Sequence, residues 1–130
     1  MEQKRKTPML PAISDEMKAW CAALAAEVSE WPHAEGRSFF GFTALYRGDK
    51  MFAALPRTRS LETRNALAFK LDAPTAKLRA SLEKDPRISA FDKDKERWFT
   101  FALSSGAELH DAVVWLSRAY EAAGKRRKAK

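Results

Sequence analysis

The apolar residues of this chain change period twice. They recur at helical spacing near both ends and alternate at strand spacing in between. Near the start, Met17, Trp20, Cys21, Leu24, Val28 and Trp31 share one helical face. Ser14 supplies an N-cap, and Asp15 and Glu16 put negative charge where the helix dipole favours it. Pro32 ends that helix near Trp31. Near the other end, Leu109, Val113, Leu116 and Tyr120 form a second stripe with Ala112 beside it. Ser105 and Glu108 fit a capping box, and Gly124 fits the C′ position.

Between these helices the chain reads as strands. Phe39 to Arg47 is rich in aromatic and β-forming residues, Gly48-Asp49 suits a two-residue hairpin turn, and Lys50 to Leu55 returns. Pro56 to Thr63 is a polar loop. Asn65 to Leu71 alternates, with Leu67, Phe69 and Leu71 opposite Ala66, Ala68 and Lys70. Asp72-Ala73-Pro74 opens a middle helix with Leu78 and Leu82 on its apolar stripe, and Asp85-Pro86 closes it. Ile88 to Phe91 reads as a short strand, and Asp92 to Glu96 as a charged turn. Arg97 to Leu103 puts Phe99, Phe101 and Leu103 on one side and Trp98 and Thr100 on the other. The expectation is an α+β fold: an antiparallel sheet of about four to five strands with N-terminal, middle and C-terminal helices, in the order α-β-β-β-α-(β)-β-α, covered on one face. Residues 1–13 read as an extended arm, 14–124 as one domain and 125–130 as a disordered basic tail.

The formal charge of +7 invites a nucleic-acid reading, so its distribution matters. Lys4, Arg5 and Lys6 at one end, and Lys125, Arg126, Arg127, Lys128 and Lys130 at the other, hold the whole excess. Residues 7–124 are neutral overall, yet residues 37–70 carry a local +5. Short basic tails bind polyanions weakly and do not define a recognition surface. No stretch approaches the ~20 apolar residues that span a bilayer. No apolar run of signal-peptide length follows Met1 to Lys6, so a cytoplasmic protein is expected, with no membrane partner.

Site chemistry is sparse. His33 and His110 are the only histidines, and no spacing supplies a metal-ligand set. Cys21, the single cysteine, lies on the apolar stripe and reads as a small core residue. Arg47-Gly48-Asp49 spells an adhesion tripeptide, but a hairpin turn accounts for it. No glycine-rich phosphate loop is present, and no cofactor or catalytic group is expected. Arg57 and Arg59, with Thr58 and Ser60 between and after them and Arg64 beyond, are the candidate phosphate contacts. The tail residues Lys125, Arg126, Arg127 and Lys128 join them as a candidate polyanion surface. Phe39, Phe40, Phe42, Trp98, Phe99 and Phe101 are expected mostly in the core. Any that remain outside could line a pocket or stack on bases.

Two stretches resemble a known family. Arg47-Gly48-Asp49-Lys50-Met51-Phe52-Ala53-Ala54-Leu55, followed by Leu67-Ala68-Phe69-Lys70-Leu71-Asp72, is similar to the MmcQ/YjbR family. Its members show a "GKxFA" hairpin, then a strand ending in Lys and a helix opened by Asp-Pro. Lys95-Glu96-Arg97-Trp98-Phe99-Thr100 is similar to that family's "K-x-x-W" strand, and Ala119-Tyr120-Glu121 stands where it has Ser-Tyr. The stretch from Arg97 through Tyr120 also resembles the small bacterial "luciferase domain" family. The resemblance spans roughly residues 37–123. It implies a double-wing α+β fold and DNA binding, and it carries over no catalytic residue. Arg97 departs from the usual His, and Asp72-Ala73-Pro74 from Asp-Pro.

Two functions follow as expectations. The first is a non-catalytic module that contacts DNA or another polyanion through Arg57, Arg59, Arg64 and the tail. The alternative is a small-molecule or enzymatic pocket lined by Trp98, Phe42 and Lys70.

Overall fold

Helix α1 (Asp15–Ser29) begins as its sequence dictates: the Ser14 hydroxyl accepts the Met17 N–H at 3.1 Å. Met17, Cys21, Leu24 and Val28 are its buried stripe, with Trp20 and Trp31 half-buried beside it. The computed structural model describes residues 13–58, 66–71, 74–90 and 98–124. Residues 1–12 of the expected arm, Arg59, Arg64, Arg97 and the tail residues Lys125 to Lys128 lie outside them.

Six strands follow α1 in one antiparallel sheet: β1 (Ala34–Phe39), β2 (Phe42–Arg47), β3 (Lys50–Pro56), β4 (Ala66–Lys70), β5 (Ile88–Ala90) and β6 (Trp98–Ala102). Their spatial order is β1-β2-β3-β4-β6-β5. Helix α2 (Ala76–Lys84) connects β4 to β5, and α3 (Leu109–Gly124) closes the fold. Strand β6 is antiparallel to both its neighbours, so β4 and β5 run parallel across it. The α+β class and the helix placement stand as read, with more strands than expected.

The alternation read from sequence sets the two faces of the sheet. Leu67, Phe69 and Leu71 join Phe99, Phe101 and Leu103 in the main core, under α1, α2 and α3. Phe69 stacks on Phe99 and on Trp115 of α3, at ring separations of 5.9 Å and 5.6 Å. Burying one such side chain contributes about 1.5–3 kcal/mol. The opposite face carries a smaller cluster of Phe42, Ala66 and Ala68, with Ala54 and Trp98 packed on it.

Four local readings need correction. The stretch read as one strand from Phe39 to Arg47 is two: Phe40-Gly41 is a turn, and β1 precedes it. Helix α2 starts later than Asp72, because the Thr75 hydroxyl accepts the Leu78 N–H at 3.1 Å and takes the N-cap. Ser105 makes no side-chain cap. Instead the Glu108 carboxylate accepts from the N–H and hydroxyl of Ser104, at 2.7 Å and 3.1 Å, and a 3-10 turn precedes α3. Gly124 is the last helical residue and not a left-handed C′. A Cβ there would collide with the Arg47 guanidinium, so its role is room.

Candidate functional site

Strand β2 has a two-residue turn at each end, and the two are built from opposite materials. At one end Gly48-Asp49 joins β2 to β3, with Gly48 at φ 64°. Positive φ at the first central position is where glycine is expected in a hairpin. This turn is tied to the rest of the fold. Its Gly48 N–H donates to the His33 carbonyl at 2.9 Å. Arg47 lies 4.1 Å over the Tyr120 ring and donates to the Tyr120 carbonyl at 3.0 Å. A cation there also meets the carbonyl end of the α3 dipole. Tyr120 donates its hydroxyl to the Pro32 carbonyl at 2.6 Å and packs its ring against Trp31 and Phe52. The Arg47-Gly48-Asp49 tripeptide is therefore a structural turn whose arginine is engaged.

At the other end Phe40-Gly41 joins β1 to β2, with φ 49° at Phe40 and 86° at Gly41. Positive φ at both positions defines the type I′ hairpin turn, where Asn-Gly is the favoured pair. A bulky aromatic residue in that conformation is a genuine outlier. Phe40 is also 86% exposed and Phe39 44% exposed. Their rings touch edge-on at 4.9 Å. Strain and exposure thus coincide in one side chain, which makes the tip a candidate functional feature.

Arg57 lies beside this tip. Its N–H donates to the Gly41 carbonyl at 3.0 Å, and the Thr58 N–H donates to the same oxygen at 2.9 Å. The Arg57 side chain is exposed. Arg37, on β1, lies 4.4 Å over the Tyr46 ring and pairs with Glu35 at 3.1 Å. The structure therefore ties the Arg57 main chain to the turn that carries an exposed aromatic pair. The sequence had sorted that pair with residues expected mostly in the core. Gly41 was the available signal, since a glycine between two alternating runs marks a turn. Phe at the preceding position masked it.

The residues of the alternative pocket are brought onto one face. Phe42 and Trp98 share the small cluster on Ala66 and Ala68, and Lys70 is the register partner of Trp98. Phe42 is buried, and Trp98 and Lys70 are half-buried. Lys70 also borders a small cavity of about 20 Å³ with Met51, Phe52 and Ala119, room for about one water.

Cys21 is buried in the main core, and burial pushes its thiol up to about 12. It is a neutral hydrophobe at pH 7. His33 and His110 are both exposed, on the turn before β1 and on α3. Among the described residues, no three His, Cys, Asp or Glu side chains gather as a metal site. Nor is any described helix long and apolar enough to cross a membrane.

Among the described residues, the densest charge cluster belongs to Arg87. Its guanidinium meets Asp85 at 2.8 Å, Asp111 at 3.2 Å and Glu108 at 3.3 Å, and lies 4.7 Å over Phe101. It ties the end of α2 and the start of β5 to the start of α3. The hydrogen bond from Arg87 holds Asp85 below its ordinary value, while the Ser104 N–H is the leading cause for Glu108. An open cleft of about 520 Å³ lies against this cluster, bordered by Ser81, Lys84 and Pro86. Three acids on one arginine make it a clamp between elements, with its cation already used.

These features define a small α+β protein whose exposed chemistry is aromatic and basic at one hairpin tip. Comparison with protein-family models, with curated proteins and with solved structures returned no match.

Proposed function

We propose that this chain is a non-catalytic nucleic-acid-binding module that uses the β1–β2 hairpin tip as its contact surface. One observation carries the reading: Phe39 and Phe40 are exposed on a strained tip, beside the exposed Arg57. Single-stranded nucleic acid is bound by this combination, because every base offers a face for stacking and a cation tracks the phosphates. The local +5 of residues 37–70 and the resemblance to the MmcQ/YjbR family point to the same ligand class. Arg59, Arg64 and the basic tail would add charge to a surface that the aromatic tip specifies. The buried, neutral Cys21 and the fully engaged Arg87 favour a binding role over a catalytic one.

The test is an anisotropy titration of a labelled oligothymidine at several salt concentrations. Binding should weaken steeply with salt, by a log–log slope near −0.7 for each phosphate contact. F40S should weaken it by about tenfold, the lower range for one lost base–aromatic stack. R57E should flatten the salt slope. No measurable affinity at low salt would sink the reading. Loss of all affinity on removing residues 125–130, with F40S silent, would reduce it to tail charge.

A further inference from the structure

Strand β1 ends the sheet on one side, and its residues from Glu35 to Phe39 are all exposed. A two-residue turn makes its flanking residues, Phe39 and Phe42, a hydrogen-bonded pair. Arg37 and Glu35 then also direct their main-chain groups toward β2. The His33 carbonyl follows the same alternation, since it accepts from Gly48. Gly36 and Ser38 therefore direct both N–H and C=O outward, along an edge that no described strand pairs, while Ala34 directs its C=O there and donates its N–H to the Trp31 carbonyl at 3.1 Å. Such a row templates another strand unless something blocks it. β1 contains no Pro or Lys, and its register with β2 has no bulge.

We infer that β1 pairs antiparallel with β1 of a second copy of this chain, about a two-fold axis at Gly36, so that two sheets join into one. The charge pattern selects this register. The alternation of outward groups allows two-fold centres on Glu35, Gly36 or Arg37. Centring on Glu35 sets that carboxylate against its own copy, and centring on Arg37 does the same with two guanidinium groups. Centring on Gly36 sets Glu35 opposite Arg37 of the second copy, twice. In that register the two glycines form a hydrogen-bonded pair. The Glu35–Arg37 positions are then the non-hydrogen-bonded kind, in which side chains stand closest. Glu35 and Arg37 of one copy are already paired on one face at 3.1 Å. Pairing two copies closes a ring of four alternating charges.

This inference stands apart from the nucleic-acid reading, because it uses the edge and not the tip. It does set where the tips go. Phe40 lies four residues from Gly36, so the two tips lie about 27 Å apart at opposite ends of the junction, at about 3.4 Å per residue.

Sedimentation of the full chain from micromolar to millimolar concentration tests the pairing. The wild type should dimerise reversibly. R37E and E35R should each weaken dimerisation by about tenfold, because attraction becomes repulsion at two symmetric pairs. The double variant E35R/R37E should restore it, because the swapped charges are again complementary. Amide exchange in the wild type gives a second readout that needs no variant. The Gly36 and Ser38 amides should become protected as concentration rises, while the Arg37 amide stays protected throughout. A monomer at every concentration overturns the inference. So does a dimer indifferent to R37E and E35R, a double variant that fails to recover, or Gly36 exchange that ignores concentration.

Discussion

The two turns of β2 are separated by only six residues, yet one is sealed and the other is offered to solvent. At Gly48-Asp49 the residue at positive φ is glycine, and Arg47 is spent on Tyr120. At Phe40-Gly41 the first of two residues at positive φ is an exposed phenylalanine, and the neighbouring Arg57 side chain is exposed. The first turn obeys local preference and is packed against α3. The second violates local preference and gains no burial for it. A strained aromatic without packing is a liability for stability alone, which is why the difference points to binding at the second turn.

The comparison predicts effects of opposite sign at the two ends. The largest should come at the sealed end. Tyr120→Ala removes a ring that contacts Trp31, Phe52 and Arg47, and should cost about 3–5 kcal/mol in urea unfolding. Arg47→Ala should cost about 1–3 kcal/mol, through the lost ring contact and carbonyl hydrogen bond. A change under half of that would break the idea that this end is locked by Arg47.

At the open end, Phe40→Asn should raise stability by about 0.5–1 kcal/mol, because Asn suits a type I′ turn. The same variant should weaken oligonucleotide binding. A destabilised F40N would mean that the ring packs in a way its exposure contradicts. Acid should act on neither turn first. Asp85 and Glu108 are held below their ordinary values of 3.8 and 4.5, so the stability they contribute is present above that range. It should be lost as pH falls through their depressed folded values. The loss should be small, since both groups are largely solvated. Asp85→Asn should flatten the acid limb of a stability–pH curve. Smallest of all, Arg57→Glu should leave stability within about 0.5 kcal/mol, as for an exposed side chain away from the core.

How much was legible in the sequence differs element by element. The α1 stripe, the alternation of β4 and β6, and the Gly48-Asp49 turn each rest on one local rule, and each was readable. The Phe40-Gly41 turn was hidden because its first residue argues against a turn and its neighbours argue for a strand. The capping of α3 was misread by one residue, since Ser104 and Ser105 are equivalent until Glu108 has folded back onto one of them. Gly124 looked like a terminator, but its lack of a side chain serves Arg47, far away in sequence.

Local patterning by itself determined the class of this protein: which residues are helical, which alternate, and that one face of the sheet is apolar. Periodicity is enough for that, because side-chain direction follows from backbone geometry alone. Only the tertiary structure decided which chemistry is left at the surface. Whether an arginine is spent, as Arg47 and Arg87 are, or has its side chain exposed beside an aromatic tip, as Arg57 does, depends on residues brought together from distant parts of the chain. Charge and aromatic content are properties of a sequence, but their exposure is set by packing.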